Sequence, residues 1–518
     1  MSTDFLFSAV LLFSVAYLLL PPSFRPIYLM LSSIAFVVYS GRQATAFFLL
    51  AGITTWGAAF ITYSLRTAFA QQVKQETDPA RKRKLKAKSG RLRNLCTGSA
   101  LFLLFALLVF LKLLPDVPRQ LLSLMAGKLV HLPNLFVPVG ISFYTFMFAS
   151  YLLDVHSGKI KPLKNQLHVL VFAGYQPQLI QGPIGRFGDL DKQFWKTTQV
   201  SLTDVQRGLI LMLFGLFKKK VIADRAAPFV NSVFDGISGN YGGAAIILAV
   251  LLYSLQQYCD FSGGIDIILG GAKMMGISMA TNFRQPYFST SLAEFWRRWH
   301  ITLGAWMRDY VFYPIALCKP VTKLAACFKK KMPTFSRALP AVLGNLIVFI
   351  LVGLWHGVSF HYFLWGLYNG IIIALSVLFE PVNKSLNKRF SFTTSKAFKV
   401  YRILRTFLIV NIGWVFDRAQ DAHRAILMIC TIPNFHLEQL SLSFLADNGL
   451  SAASMIILSA AACFLFFISI LKEKRIDVAQ RLLSLPLPAR WVLLFSFILS
   501  IVFFFDTGNI RTFMYAAF

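Results

Sequence analysis

The sequence predicts an all-α polytopic membrane protein with about 11 transmembrane helices and a few re-entrant or interfacial ones, and three observations predict it. First, the 518 residues are 56% hydrophobic and only 14% charged, with a mean hydropathy of +0.61. That is too apolar for a soluble domain. Second, apolar runs recur from the first ten residues to the last twenty, many near the roughly 20 residues that cross a hydrocarbon core about 30 Å thick. Third, the formal charge of +30 is spread between those runs, as basic cytoplasmic loops are. This distribution argues against nucleic-acid binding. It suits contact with membrane lipid head groups or an acidic soluble partner.

The apolar runs fall near 5–20, 27–39, 44–63, 95–114, 136–153, 167–180, 209–222, 244–258, 341–354, 362–379, 400–416, 451–471 and 492–505. The first follows M-S-T-D without a basic n-region, and no small-residue cleavage site comes before Pro21-Pro22. It reads as a retained transmembrane helix. Several other runs are short or interrupted by Gly or Pro, which suits tilted, re-entrant or buried segments. The loop 66–93 carries Lys74, Arg81, Lys82, Arg83, Lys84, Lys86, Lys88 and Arg91 against Glu76 and Asp78, so it is expected on the cytoplasmic side. Three crossings precede it, which places the N-terminus outside. Lys329–Lys331 and the stretch 384–405 are also basic, so the two apolar runs between them form a hairpin. If its first helix enters the membrane near Leu339, a rise of 1.5 Å per residue puts His356 roughly 25 Å along. One integral membrane domain, 1–518, is expected, with a basic loop at about 66–93, a core at about 136–379 and C-terminal helices at about 400–518.

Ionisable groups at membrane depth are costly and mark function by default. Two tryptophan-flanked histidines therefore stand out: His300 in F-W-R-R-W-H-I-T-L-G-A-W-M-R-D-Y at 295–310, and His356 in G-L-W-H-G at 353–357. Ser291 and Glu294 have capping-box spacing, so a helix is predicted to start there and run through Tyr310. On that helix Trp296, Trp299, Leu303, Trp306 and Tyr310 share one face. Arg297 and His300 lie beside the face, and Arg298 sits one turn from Glu294. An interfacial anchor explains the tryptophans and arginines, but it leaves His300 without a purpose.

His356, next to Trp355, reads either as a helix-end residue hydrogen-bonded to a neighbouring helix or as a general base for a hydroxyl attacking an acyl carbonyl. Covalent catalysis through the ring is the other chemical option. No G-x-S-x-G elbow supplies a hydrolase nucleophile. His361 is expected in a loop or at an interface. Asp260, in Q-Q-Y-C-D-F-S-G-G at 256–264, closes an apolar run and is expected to pair with an arginine, orient a histidine or cap a helix. Q-G-P-I at 181–184, with Arg186, breaks another run. Asn282, Arg284 and Tyr287 are placed to line a polar space beside the tryptophan-rich helix. The six cysteines are scattered without metal-ligand spacing, so no metal site or disulfide is expected.

These segments together resemble the membrane-bound O-acyltransferase (MBOAT) superfamily, in its bacterial alginate O-acetyltransferase-like branch. The matching pieces are V-G-I-S-F-Y-T-F at 139–146, Q-G-P-I at 181–184, Y-C-D-F-S-G-G at 258–264 and N-F-R-Q-P-Y at 282–287. They continue with F-W-R-R-W-H-I-T-L at 295–303, M-R-D-Y at 307–310, L-W-H-G at 354–357, L-W-G-L-Y-N-G at 364–370, N-I-G-W-V-F at 411–416 and F-M-Y-A-A-F at the end.

The resemblance implies a ring of helices around a central tunnel in the bacterial cytoplasmic membrane, with His356 as the essential histidine and His300 as the second. Arg297, Arg298, Asp309 and Asp260 would shape a polar tunnel, with Trp355, Trp299, Tyr310 and Asn282 on the substrate path. It implies no bound cofactor but an acyl thioester donor, acetyl-CoA or an acyl carrier protein. The acceptor would be a cell-surface polysaccharide, reached directly or through an extracytoplasmic acyltransferase partner. Tyr313-Pro-Ile-Ala-Leu-Cys-Lys-Pro320 departs from the glycine-rich stretch common in polysaccharide acetylators and leaves room for the neighbouring D-alanyl-transferring branch. The chain beyond Asn411 favours the acetylating branch. A transporter, with the same histidines lining a substrate path, and a membrane scaffold are the rivals from other classes. The chain shows no internal repeat, a feature many transporters have.

Overall fold

A computed structural model of the chain describes residues 3–113, 140–196, 199–236, 240–505 and 513. Among them the secondary structure is helical, with a single isolated bridge between Phe283 and Trp299 and no strand. Seven described helices are long and apolar enough to cross a membrane, in agreement with an all-α polytopic protein. The expected number was about 11. The remaining apolar runs lie in shorter helices such as Thr3–Leu19 and Leu487–Phe503, or in helices with basic ends such as Lys396–Arg418. Position 139 of the first matching segment and 514–518 of the last lie outside the described residues.

The chain divides into two compact units. One comprises residues 10–205 and 271–280. Its main helices are α1 (Thr3–Leu19, from Val10 onward), α2 (Arg25–Tyr39), α3 (Arg42–Gln75), α4 (Pro79–Leu113), α5 (Ile141–Ser157) and α6 (Leu167–Gly174). The basic segment 66–93 is not a loop. It is the paired ends of α3 and α4, separated only by Glu76, Thr77 and Asp78. Lys, Arg, Ala and Leu are strong helix formers, so both helices continue past their apolar stretches. The Glu76 carboxylate accepts from the Thr77 and Asp78 amides at 2.9 and 3.1 Å, and Asp78 accepts from the Ala80 amide at 2.9 Å. The acidic pair therefore turns the chain by capping. The expected break at 181–184 is present: a short helix ends at Gln181, and Gly182 is extended. These residues are buried.

The other unit comprises residues 1–9, 206–270 and 281–518. It contains α7 (Leu202–Phe217, from Gln206), α8 (Asp224–Asp235), α9 (Gly243–Met274, to Gly270), α10 (Leu292–Arg298) and α11 (Ile301–Met307). After them come α12 (Pro333–His356), α13 (Phe360–Leu378), α14 (Lys396–Arg418), α15 (Ala452–Glu473) and α16 (Leu487–Phe503). Residues 256–264 do not end an apolar run. They lie inside α9, so Asp260 is not a helix cap. Gly263 belongs there because α7 crosses at that point: a Cβ on Gly263 would sit 2.7 Å from the Gly215 carbonyl oxygen. Small residues let helices approach this closely in membranes. The expected hairpin is α12 and α13. Its backbones meet at Gly353 and Gly366, where a Cβ on Gly353 would lie 3.3 Å from the Gly366 Cα. His361 is buried on the first turn of α13, so it is not a loop residue.

Candidate active site

The capping box forms as predicted at its first position: the Ser291 hydroxyl accepts from the Glu294 amide at 3.2 Å. The Glu294 carboxylate reaches the Thr290 amide at 2.9 Å and the Arg298 guanidinium at 2.7 Å. Burial alone would raise the Glu294 carboxyl, yet these hydrogen bonds hold it below the ordinary carboxylate range. The long amphipathic helix through Tyr310, however, does not form. The chain breaks after Arg298: Trp299 is extended and His300 takes left-handed backbone angles, φ 47° and ψ 51°. The shared face from Trp296 to Tyr310 is therefore divided between α10, α11 and a π-helical turn at Arg308–Phe312.

The cause lies earlier in the chain. Arg284 N donates to the Arg298 carbonyl at 2.9 Å and Ile301 N to the Asn282 carbonyl at 3.0 Å. The Asn282 side-chain oxygen takes the Thr302 amide at 3.0 Å, the Thr302 hydroxyl at 2.9 Å and His300 Nδ1 at 3.2 Å. A backbone amide only donates, so the Thr302 contact fixes the side-chain oxygen of Asn282 as the acceptor. Nδ1 of His300 must then carry the proton. In the neutral ring the lone pair then sits on Nε2, which is the nitrogen left to act as a base.

His356 occupies the last residue of α12 and is buried, with 7% of its surface exposed; His300 is 4% exposed. Trp355 neighbours both, with ring centroids 4.9 Å from His356 and 6.5 Å from His300. Trp365 and Tyr362, from α13, flank His356 at 5.2 and 5.9 Å. Phe261, from α9, meets the His300 ring edge-on at 4.9 Å. Both histidines face one cavity of about 360 Å³, a size typical of small-ligand sites. Trp296, Trp299, Arg297, Arg308, Asn345 and Asp417 share its walls.

Of the other expected site residues, Asn282 stands behind His300 as its clamp and Trp355 neighbours both histidines. Arg298 is turned away into ion pairs with Glu294 and Glu473, the latter at 2.8 Å. Asp309 pairs with Arg308 at 3.0 Å, and Tyr310 packs on Trp306 at 5.2 Å. Asp260 pairs with Lys219, which also holds Asp224 at 2.9 Å. Arg284 is exposed, whereas the Tyr287 hydroxyl donates to the Ser254 carbonyl at 2.8 Å.

Sequence reasoning missed Asp417, whose Oδ2 accepts from the Tyr253 hydroxyl at 2.7 Å and Gln257 Nε2 at 2.8 Å. A signal was present: Asp417 directly follows the apolar N-I-G-W-V-F, an ionisable group placed much as His356 is. Among the described residues no group of three His, Cys, Asp or Glu side chains is arranged to hold a metal. The site offers two imidazoles, a carboxylate and aromatic walls, a set suited to proton transfer.

Residues 34–414 match the family model of MBOAT, the membrane-bound O-acyltransferase family. A probable alginate O-acetylase AlgI of Pseudomonas syringae pv. tomato is 34% identical over 334 residues, 64% of this chain and 59% of the relative. A peptidoglycan O-acetyltransferase of Helicobacter pylori is 31% identical over 323 residues, 57% of this chain and 56% of the relative. A teichoic acid D-alanyltransferase of Bacillus subtilis is 27% identical over 301 residues, 56% of this chain and 71% of the relative. The matched stretch thus spans about three fifths of the alginate relatives' length.

Proposed function

We propose, for a chain that belongs to the membrane-bound O-acyltransferase family, that it moves an acyl group from a cytoplasmic thioester to a hydroxyl of a cell-surface polysaccharide, with acetyl-CoA as donor. The observation that carries this reading is the meeting of His300, at the break before α11, and His356, at the end of α12, on one cavity. In the proposed step the acceptor hydroxyl oxygen attacks the thioester carbonyl while the His356 imidazole takes its proton. The new C–O bond forms, the C–S bond breaks, and the proton passes to the leaving thiolate. His300, with its tautomer set by Asn282, assists or orients the acceptor.

Two relatives named as O-acetyltransferases, one of alginate and one of peptidoglycan, support acetyl as the group moved. The D-alanyltransferase relative supports the second reading, D-alanyl transfer from a carrier protein towards teichoic acid. The protein would act in the bacterial cytoplasmic membrane with its N-terminus outside, and the attacking hydroxyl would belong either to the polysaccharide itself or to an extracytoplasmic partner transferase that then passes the group on. Replacing His356 with Ala in the full chain, with protein level followed by immunoblot, tests the assignment: ester formation on the polysaccharide is lost at unchanged protein level. Wild-type ester content in that variant refutes it.

A further inference from the structure

A second cavity, sharing no wall residue with the first, lies among α7, α15 and α16 and measures about 670 Å³. Its lining is almost wholly apolar, with Phe214, Ile457, Phe464 and Phe497 prominent. Two cations also line it: Arg207 and Lys472. Arg207 already holds Asp477, and the nearby Lys218 holds Asp266 at 2.8 Å. Lys472 is different. Its ammonium lies 4.8 Å from the Phe214 ring centroid, and among the described residues no carboxylate pairs with it. Asp477 and Asp266 also act on Lys472 from a distance, but each is held by another cation, so the three cations here outnumber the two carboxylates by one.

Position along the chain adds a second argument. Lys472 sits in the last turn of α15, a helix apolar enough to span the membrane. Lys474 and Arg475 follow after Glu473, which pairs with Arg298. Such a helix end lies at head-group level, where basic residues meet lipid phosphates. A cavity with apolar walls below and, at the boundary, a cation with no ion pair of its own among the described residues suits a molecule with an alkyl tail and an anionic head.

We propose that this cavity is a binding site for an anionic phospholipid, with an acyl chain among Phe214, Phe464 and Phe497 and the phosphate on Lys472. The inference does not depend on the acyl-transfer reading. Native mass spectrometry of the full chain in detergent tests it, with phosphatidylglycerol and with phosphatidylcholine carrying the same acyl chains as probes. The wild type retains phosphatidylglycerol one to one in preference to phosphatidylcholine. Lys472→Gln weakens that adduct about tenfold, the worth of one charge-assisted hydrogen bond, and Lys472→Arg retains it. Should Lys472→Gln fail to fold, Ala460→Trp decides, because it fills the cavity and leaves the charge in place: it too loses the adduct. Equal retention of the two lipids by the wild type overturns the proposal. So does an undiminished phosphatidylglycerol adduct in folded Lys472→Gln or, if that variant does not fold, in Ala460→Trp.

Discussion

His300 combines two costs, a buried imidazole and a left-handed backbone in a residue with a Cβ. Such a conformation costs about 1–3 kcal/mol and persists only where its surroundings enforce it. The Asn282 side chain and the short bridge between Phe283 and Trp299 do so here. Asn tolerates left-handed angles better than most residues, which separates backbone from chemistry. His300→Asn is expected to melt within a few degrees of the wild type while losing about a hundredfold in acyl-transfer rate, the scale of one acid–base group. A melting scan and a turnover assay on one preparation check it. That His300 and His356 are candidates was legible in the sequence, because a titratable ring among tryptophans in an apolar chain demands a reason. The clamp on His300 was not. W-R-R-W-H-I-T holds neither Gly nor Pro, so a helical period runs through it unopposed, and the break is imposed by a side chain 18 residues away.

The hairpin of α12 and α13 sets where His356 ends up. Its two glycines decide how closely the helices pack: a Cβ on Gly366 would meet the Phe349 carbonyl oxygen and lie 3.1 Å from its carbon. Backbone cannot yield as a flexible side chain does, and overpacking of this kind costs about 1–3 kcal/mol. Gly366→Ala should therefore lower the melting temperature and the activity together. Gly57→Ala provides the contrast, since nothing lies within 4 Å of its added Cβ. In a helix that change stabilises by about 0.5–1 kcal/mol. Both are read by thermal melting of the purified variants. Apolar length and flanking charge revealed the hairpin in the sequence. The same charge rule misjudged 66–93 as a loop, because it places a segment beside the membrane but says nothing of its conformation. Helix propensity, high throughout that segment, was the better guide.

Across the whole molecule, the net charge of +30 is not confined to the ends of the spans. Lys218, Lys219 and Lys220 are each no more than 3% exposed and each holds a carboxylate: Asp266 at 2.8 Å, Asp224 at 2.9 Å and Asp4 at 3.1 Å. The apolar run 209–222 hid them, since hydropathy averages over neighbours and a carboxylate partner far along the chain leaves no local trace. Removing one partner of a buried pair strands the other, at a cost of about 3–5 kcal/mol. Lys219→Met, which removes the ammonium that Asp224 and Asp260 share, is expected to abolish the folded peak in fluorescence-detected gel filtration. Lys219→Arg should recover part of it. The cavity shared by His300 and His356 remains the centre of the account, and the most direct measurement is the O-acyl ester content of surface polysaccharide in cells whose only copy of this protein carries His356→Ala. Esters are expected to fall to background while the protein stays in the membrane at its normal level. Wild-type ester content in those cells would contradict it.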